Sequence, residues 1–449
     1  MSGPGLDTLG ACLEGIVPSS IATVDPDGVP NVSLISQVHY VDPERVALSY
    51  QFFNKTRANL LATRRATVGM TDPVTMAEYR LALAYEETRT SGPLFESMKA
   101  KLAGIASHTG MGGVFRLLGA DVFRVERIAA VPGPRLAPAP AARNLLAATR
   151  RTCAELGAAA DLGSLFDTAL ACLDRHLGIG HAMLLLVDGE GRRLYTVASR
   201  GYDRSGIGSE LAVGQGVVGV AARERVPIRI GHMTADTDYG TAIRDQALRH
   251  GLSWAQATEI PFPGLTSPES QIAVPIVCGG RAAGVLFAEC REPLRFRQDD
   301  EDALALVADR LAALIPEVQQ NGDGPEAEAE SAGAADLAPI VVRHYAADDS
   351  IFLDHDYLIK GVAGAIFWKL VREHLGAGRV EFTNRELRLD PALRLPEHAE
   401  NLEARLLLLQ RRLRERASPI RIEKAGRGRL RLGVPAPLTL EEIGADQRA

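Results

Sequence analysis

Two stretches of this chain are poor at packing against anything, and they decide its architecture. PGPRLAPAPAA (132–142) is rich in Pro and Ala and is expected to be an extended, fairly stiff spacer. NGDGPEAEAESAGAADLAP (321–339) is acidic, small and nearly without large apolar residues, so it cannot bury enough surface to order itself. They cut the 449 residues into blocks at 1–131, 143–320 and 340–440. Three blocks are what a chain of this length is expected to hold, at roughly 150 residues per domain. No internal repeat is visible.

Composition narrows the function classes. Apolar (46%) and charged (24%) fractions are those of globular domains. A formal charge of −6 argues against uniform coating of nucleic acid, although an average can hide a basic module. No apolar run approaches the ~20 residues needed to span a bilayer, and the start, MSGPGLDTLGACLEG, lacks the blocks of a signal peptide. The expectation is a cytoplasmic protein with no membrane partner. Cys12, Cys153, Cys172, Cys278 and Cys290 are few, odd in number and scattered. They read as reduced thiols, and their spacings build no structural zinc site.

The first block reads mostly as strands, with turn signals at DPDG and VDPER, a helix at PLFESMKAKLAGIA and a last strand at ADVFRVERI. An antiparallel barrel fits, partly covered by the helix. Within it, FFNKTRANL (52–60) gathers Asn54, Lys55, Thr56 and Arg57, with Ser49 just upstream. Fixed positive charge beside short hydrogen-bonding groups makes a cradle for a phosphate dianion; a solvated turn with a chance basic pair is the alternative.

The run PSSIATVDPDGVPNVSLISQVHYVD, followed by VALSYQFFNKTRANLLATRRATVGMTD, resembles the FMN-binding split barrel of the pyridoxamine-phosphate-oxidase superfamily over residues 15–130. The resemblance implies that Ser33, Leu34 and Ile35 face the flavin ring. It also implies that Ser49, Gln51, Asn54, Lys55 and Thr56 hold the ribityl phosphate. The Arg/His substrate motifs of the true oxidases have no counterpart here, so FMN binding is implied and turnover of pyridoxamine phosphate is not. Some relatives bind haem or the deazaflavin F420, and for haem His39 or His108 would be the ligand.

The middle block alternates. One helical stretch (144–178) leads to strands HAMLLLVDGEGRRL and YTVASRGY, then to the glycine-rich VGQGVVGVAARERVPIRI. Strands SQIAVPIVCGG and RAAGVLFAECRE follow, and a long helix, QDDEDALALVADRLAALIPEV, ends the block. Helices on one face of an antiparallel sheet are expected, an α+β layer. VGQGVVG is preceded by an ELA turn and no buried parallel strand, so its glycines serve a tight turn rather than a nucleotide. The whole pattern over 145–316 resembles GAF domains, which bind small ligands between sheet and helices and often pair through flanking helices. The resemblance implies an unknown small-molecule ligand and a homodimer. Candidate pocket residues lie in the irregular stretch 232–262: Tyr239, Trp254 and Phe262 for stacking, and Asp236, Asp238 and Arg244 for polar edges, with aromatics that are ordinary core as the alternative.

The third block reads as mostly helical, ending in a hairpin. In NLEARLLLLQRRLRERA, Leu402, Leu406, Leu409 and Leu413 form one buried stripe. Arg405, Arg412 and Arg416 share another face, flanked by Arg411 and Arg414. The hairpin IRIEKAGRGRLRL adds Lys424, Arg427, Arg429 and Arg431 at or beside its tip. A basic helix followed by a basic hairpin has the charge layout to clamp duplex DNA; a solvated arginine-rich helix paired with Glu400, Glu403 and Glu415, or a winged helix used only for dimerisation, are the alternatives. Residues 350–434 resemble the winged helices of response regulators.

The expected fold class is therefore multidomain: an antiparallel split β-barrel, an α+β GAF domain and an α+β winged helix. The expected function is a one-component regulator in which barrel and GAF pocket control a DNA-binding output. A flavin- or F420-dependent oxidoreductase with accessory domains is the alternative.

Overall fold

The computed structural model describes residues 4–444 except 16, 36–37, 51–54, 109–116, 137–142, 232–259, 322–338, 394–401 and 427. Among them four sheets are built from twenty strands.

The first sheet takes β1 (Ser19–Val24), β2 (Pro30–Ile35), β3 (Val38–Asp42), β4 (Arg45–Tyr50), β5 (Arg65–Thr71), β6 (Glu78–Arg89) and β7 (Gly119–Ala130). They pair antiparallel in the order β2-β1-β5-β6-β7-β4-β3. Alternation along β5 and β6 buries Val68, Met70, Leu81 and Leu83 while their neighbours face out. Ile21 of β1 and Val38 of β3, near opposite ends of the strand order, share one core, so the sheet is curled. The DPDG turn forms as its composition predicts: Asp25 Oδ1 accepts from the backbone N–H groups of Asp27 and Val29, and Gly28 takes φ 85°. Helix α1 (Lys55–Thr63) follows β4, and α2 (Pro93–His108) precedes β7.

The second sheet, in the order β10-β9-β8-β13-β12-β11, holds β8 (Ala182–Val187), β9 (Arg193–Arg200), β10 (Glu210–Ala212), β11 (Ile228–Ile230), β12 (Ser270–Cys278) and β13 (Arg281–Cys290). The expected single leading helix is two, α3 (Leu145–Leu156) and α4 (Leu162–Leu177), because Asp161 and Ser164 close a capping box that restarts the helix. The ELA segment is a strand, β10, paired with β9 rather than a bare turn. The expectation of helices on one face only is also corrected. Leu184, Leu186, Ile272, Val274, Ile276 and Leu286 pack beneath α3, α4 and α6 (Gln298–Asn321). The alternate residues Met183, Leu185, Ala273, Val285 and Phe287 pack under α5 (Gly216–Glu224), joined by Ala100 of α2. The curled unit thus contributes a helix to the second face of the central sheet.

The third unit opens with β14 (Ile340–Tyr345), β15 (Ser350–Leu353) and β16 (Asp356–Ile359), where a mostly helical block was expected. Their turns are built on Asp349 and Asp354, both at φ 54°, so no glycine or proline announces them. Then come α7 (Gly361–Ala377), β17 (Glu381–Thr383), α8 (Asn384–Leu389), α9 (Leu402–Glu415), β18 (Arg421–Lys424), β19 (Arg429–Gly433) and β20 (Leu438–Ile443). β20 lies parallel to β14 in a sheet ordered β16-β15-β14-β20, and β17-β19-β18 form a small sheet. The leucine stripe of α9 is buried as expected.

The glycines of VGQGVVG answer to packing. Gly214 (φ 91°) and Gly216 (φ 62°) are left-handed, and a Cβ on Gly219 would lie 2.4 Å from the Ala212 carbonyl oxygen. Gly219→Ala should therefore destabilise the central unit by about 1–3 kcal/mol, the scale of overpacking, despite its better helix propensity. Thermal unfolding of the full chain measures this.

Candidate functional site

The third unit and the central sheet meet along α9. Arg405, at 7% exposure, places its guanidinium carbon 3.8 Å from the centre of the Tyr195 ring on β9, a cation–π contact. Arg411 donates to the carbonyl oxygens of Val197 (2.7 Å) and Gly163 (3.2 Å) and to Asp167 Oδ1 (2.8 Å). Arg412, at 6% exposure, donates to the Leu358 carbonyl (3.0 Å) and to Glu415 (2.8 Å). Of the expected duplex-facing stripe, Arg405 and Arg412 are thus turned inward, as is the flanking Arg411. The helical period groups these arginines correctly, but it does not say which neighbour covers them. Arg416 is exposed and 3.7 Å from Asp356.

Beside this seam lies a cavity of about 1210 Å³, walled by the start of α4, the end of α6, α8, α9 and the β18–β19 hairpin. Six cations line it against three acids. Arg388 pairs with Glu403 (3.0 Å), Arg411 with Asp167 (2.8 Å) and Lys424 with Asp161 (3.6 Å). Arg385, Arg414 and Arg429 remain exposed, with no acidic partner among the described residues. Arg431, on the same hairpin, is held by Glu381 at 2.9 Å. Arg427 lies outside the described residues.

In the curled unit, Thr56 is buried at the start of α1. Its Oγ1 accepts from Asn31 Nδ2 (2.8 Å) and hydrogen-bonds Ser33 Oγ (2.7 Å). Lys55 is half exposed, its Nζ 3.7 Å from Asp25. Leu34 is 78% exposed on β2, Ile35 is partly buried, and Ser49 sits on β4. Gln51 and Asn54 lie outside the described residues. Ser33 and Thr56 are thus brought together with Asn31, and Lys55 lies beside Asp25, whereas Arg57 is spent elsewhere. Arg57 contacts Asp121 at 2.5 Å, with side-chain exposures of 16% and 7%, and Thr88 Oγ1 donates to the same carboxylate. His39 is driven down to about 3 by burial and then by nearby Lys101, so it is a neutral imidazole. Of the other haem candidate, His108, the side chain lies outside the described residues.

The central unit holds a buried polar group that sequence reading missed. Glu289, at 3% exposure, accepts from the Leu265 N–H (2.7 Å) and Gln271 Nε2 (3.1 Å). Burial raises its carboxyl above the ordinary range, against these hydrogen bonds. Burial, then the Glu289 charge, also raises the neighbouring Tyr202 phenol, whose ring meets His181 edge-on at 5.7 Å. Of the expected pocket residues, Phe262 is 38% exposed, while Asp236, Asp238, Tyr239, Arg244 and Trp254 lie outside the described residues.

Residues 159–315, which hold α4, the six-stranded sheet, α5 and most of α6, match the model of the GAF domain. This stretch is a GAF domain. No curated protein matches the chain in sequence. Similar solved structures include the GAF domain of a phosphoenolpyruvate-protein phosphotransferase from Acinetobacter. It is 18% identical, over 41% of this chain and 99% of that one, with a TM-score of 0.31. A free methionine-R-sulfoxide reductase from Neisseria meningitidis, in complex with its substrate, is 18% identical over 41% and 98%, with a TM-score of 0.31. An FMN-binding protein from Syntrophomonas wolfei is 20% identical over 28% and 87%, with a TM-score of 0.25. Likenesses of this size bring no ligand, substrate or activity to this chain. The GAF domain itself points to a sensory or regulatory role. Among the described residues no helix is long and apolar enough to cross a membrane.

Beneath the GAF sheet, α3 and α4 bring Glu155, Cys172 and His176 together. The i,i+4 spacing of Cys172 and His176 was visible in the sequence, but Glu155 comes from the other helix. All five cysteines are free thiols.

The Arg57–Asp121 pair gives a clear stability expectation. Arg57→Ala leaves a buried carboxylate uncompensated and should cost about 3–5 kcal/mol, whereas Arg57→Met with Asp121→Leu should recover most of it. Denaturant unfolding followed in the N-terminal unit reads both.

Proposed function

We propose that the protein is a one-component transcription regulator in which a GAF domain restrains a DNA-binding winged helix. The observation that carries this reading is the division of labour among the arginines of the third unit. Arg405 and Arg411 grip the GAF sheet, while Arg385, Arg414 and Arg429 stand exposed on one rim without acidic partners among the described residues. The order α7–β17–α8–α9–β18–β19 supports a winged helix, with α9 as the reading helix and the hairpin as the wing. Exposed arginines on such a rim suit phosphate contacts along a duplex. With part of α9 engaged by the GAF domain, this form is a restrained one, and release of the seam frees the helix. A signal that shifts the GAF packing would move that balance by its differential affinity for the two arrangements.

The curled N-terminal unit is proposed as a split barrel that carries FMN as a second input. Ser33, Lys55 and Thr56 would hold the phosphate, and exposed Leu34 would lie against the ring. The flavin would supply redox chemistry to the sensor. Helix α2, packed against the GAF sheet, would connect the two inputs.

Duplex binding by the full chain, followed against salt concentration, tests the output. Arg414→Ala with Arg429→Ala should weaken binding and lower the salt slope by roughly one for each phosphate that is no longer neutralised. Asp167→Arg, which repels Arg411 and loosens the seam, should strengthen it. Absence of salt-dependent binding in both wild type and Asp167→Arg rejects the reading, and steady flavin turnover in the same preparations would favour an oxidoreductase. For the cofactor, Lys55→Ala should reduce FMN retention by about 1–3 kcal/mol, the scale of a missing charged hydrogen bond. Equilibrium dialysis of wild type and variant against FMN gives the answer.

A further inference from the structure

We propose that Glu155, Cys172 and His176 form a binding site for a borderline-soft divalent metal ion, best matched by zinc, on the helical face of the GAF domain. One ligand atom from each residue lies within 4.8 Å of the other two. Cys172 and His176 are four residues apart on α4 and so share one face of the helix. Glu155 comes from α3, packed alongside.

The contacts already have nearly the right dimensions. Cys172 Sγ is 3.3 Å from Glu155 Oε2, and His176 Nε2 is 2.7 Å from Glu155 Oε1. Metal–ligand bonds of about 2.0–2.3 Å in a tetrahedron set ligand atoms roughly 3.3–3.7 Å apart. A rotamer adjustment of Glu155, which is the most exposed of the three at 38%, therefore opens the centre. Thiolate, imidazole and carboxylate together suit Zn²⁺, and hard cations such as Mg²⁺ find only one oxygen ligand here. Three protein ligands leave the fourth position to water.

Binding is an exchange of protons, not a redox step. The Cys172 thiol loses its proton to solvent as the metal–sulfur bond forms, and the neutral imidazole contributes a lone pair. Arg175 competes, since its Nη1 is 3.1 Å from Glu155 Oε2. It is 58% exposed and free to swing into water when the carboxylate turns to the metal. The ion would then bolt α3 to the C-terminal half of α4, the helix whose first turns meet α9.

Titration of the reduced full-length protein with Co²⁺ tests the site. The expected spectrum has a thiolate-to-metal charge-transfer band in the near ultraviolet and visible ligand-field bands of tetrahedral intensity, both erased by one equivalent of Zn²⁺. Cys172→Ser should abolish the charge-transfer band. His176→Gln and Glu155→Gln, which leave the buried Cys172 position untouched, should each weaken Co²⁺ binding by at least the roughly 10–100-fold typical of removing a supporting partner. Arg175→Ala should tighten it. A wild-type spectrum without the charge-transfer band overturns the proposal. So does a band that persists in Cys172→Ser, or an affinity unmoved in both His176→Gln and Glu155→Gln.

Discussion

The central sheet of the GAF domain is buried on both faces, and the rest of the molecule is arranged around that fact. An antiparallel sheet with apolar side chains on alternate positions of both registers cannot leave either face in water. Leu184, Leu186, Val274 and Leu286 need cover on one side, and Met183, Leu185, Val285 and Phe287 need it on the other. The domain's own α4 and α6, with the preceding α3, supply the first. The second is completed by α5 with help from α2 of the N-terminal unit. The third unit adds its α9 against β9 and the first turns of α4. Each neighbour is thus attached through surface that the sheet had to bury anyway.

That arrangement gives the interfaces different characters. The α2 contact is made of small and aliphatic side chains, Ala100 and Ala103 against the α5 face, and is held mainly by exclusion of water. The α9 contact adds polar, directional groups to an apolar seam: a guanidinium on the Tyr195 ring, and Arg411 spread over two carbonyl oxygens and a carboxylate, beside Leu407 and Leu408, which join the core of the GAF helical face. Charged hydrogen bonds of this kind are specific in geometry and exchangeable with water.

Much of the local structure was legible in the residues. DPDG, VGQGVVG and the leucine stripe of α9 all behave as their chemistry dictates, and the middle block is identified by a pattern that runs through most of its length. The strands β14–β16 were missed because Asp349 and Asp354 turn the chain where glycine would normally signal it. The inward turn of Arg405 and Arg411 was missed for another reason. A helical period sorts residues into faces, but whether a basic face meets solvent, phosphate or another domain is decided by a partner distant in sequence. The same limit hid Glu289, whose buried carboxyl makes sense only beside Gln271 and the Leu265 N–H. It also hid the approach of Glu155 to Cys172.

Helix α4 occupies an unusual position, with Asp167 in its first half and Cys172 and His176 in its second. Its sixteen residues make a rod roughly 24 Å long, with each residue turned about 100° from the last. The two groups are therefore locked in angular phase as well as in distance. Lineages that insert or delete a single residue between them would rotate one set of partners away from its neighbours, so length changes should be tolerated in the connections flanking this rod and not within it.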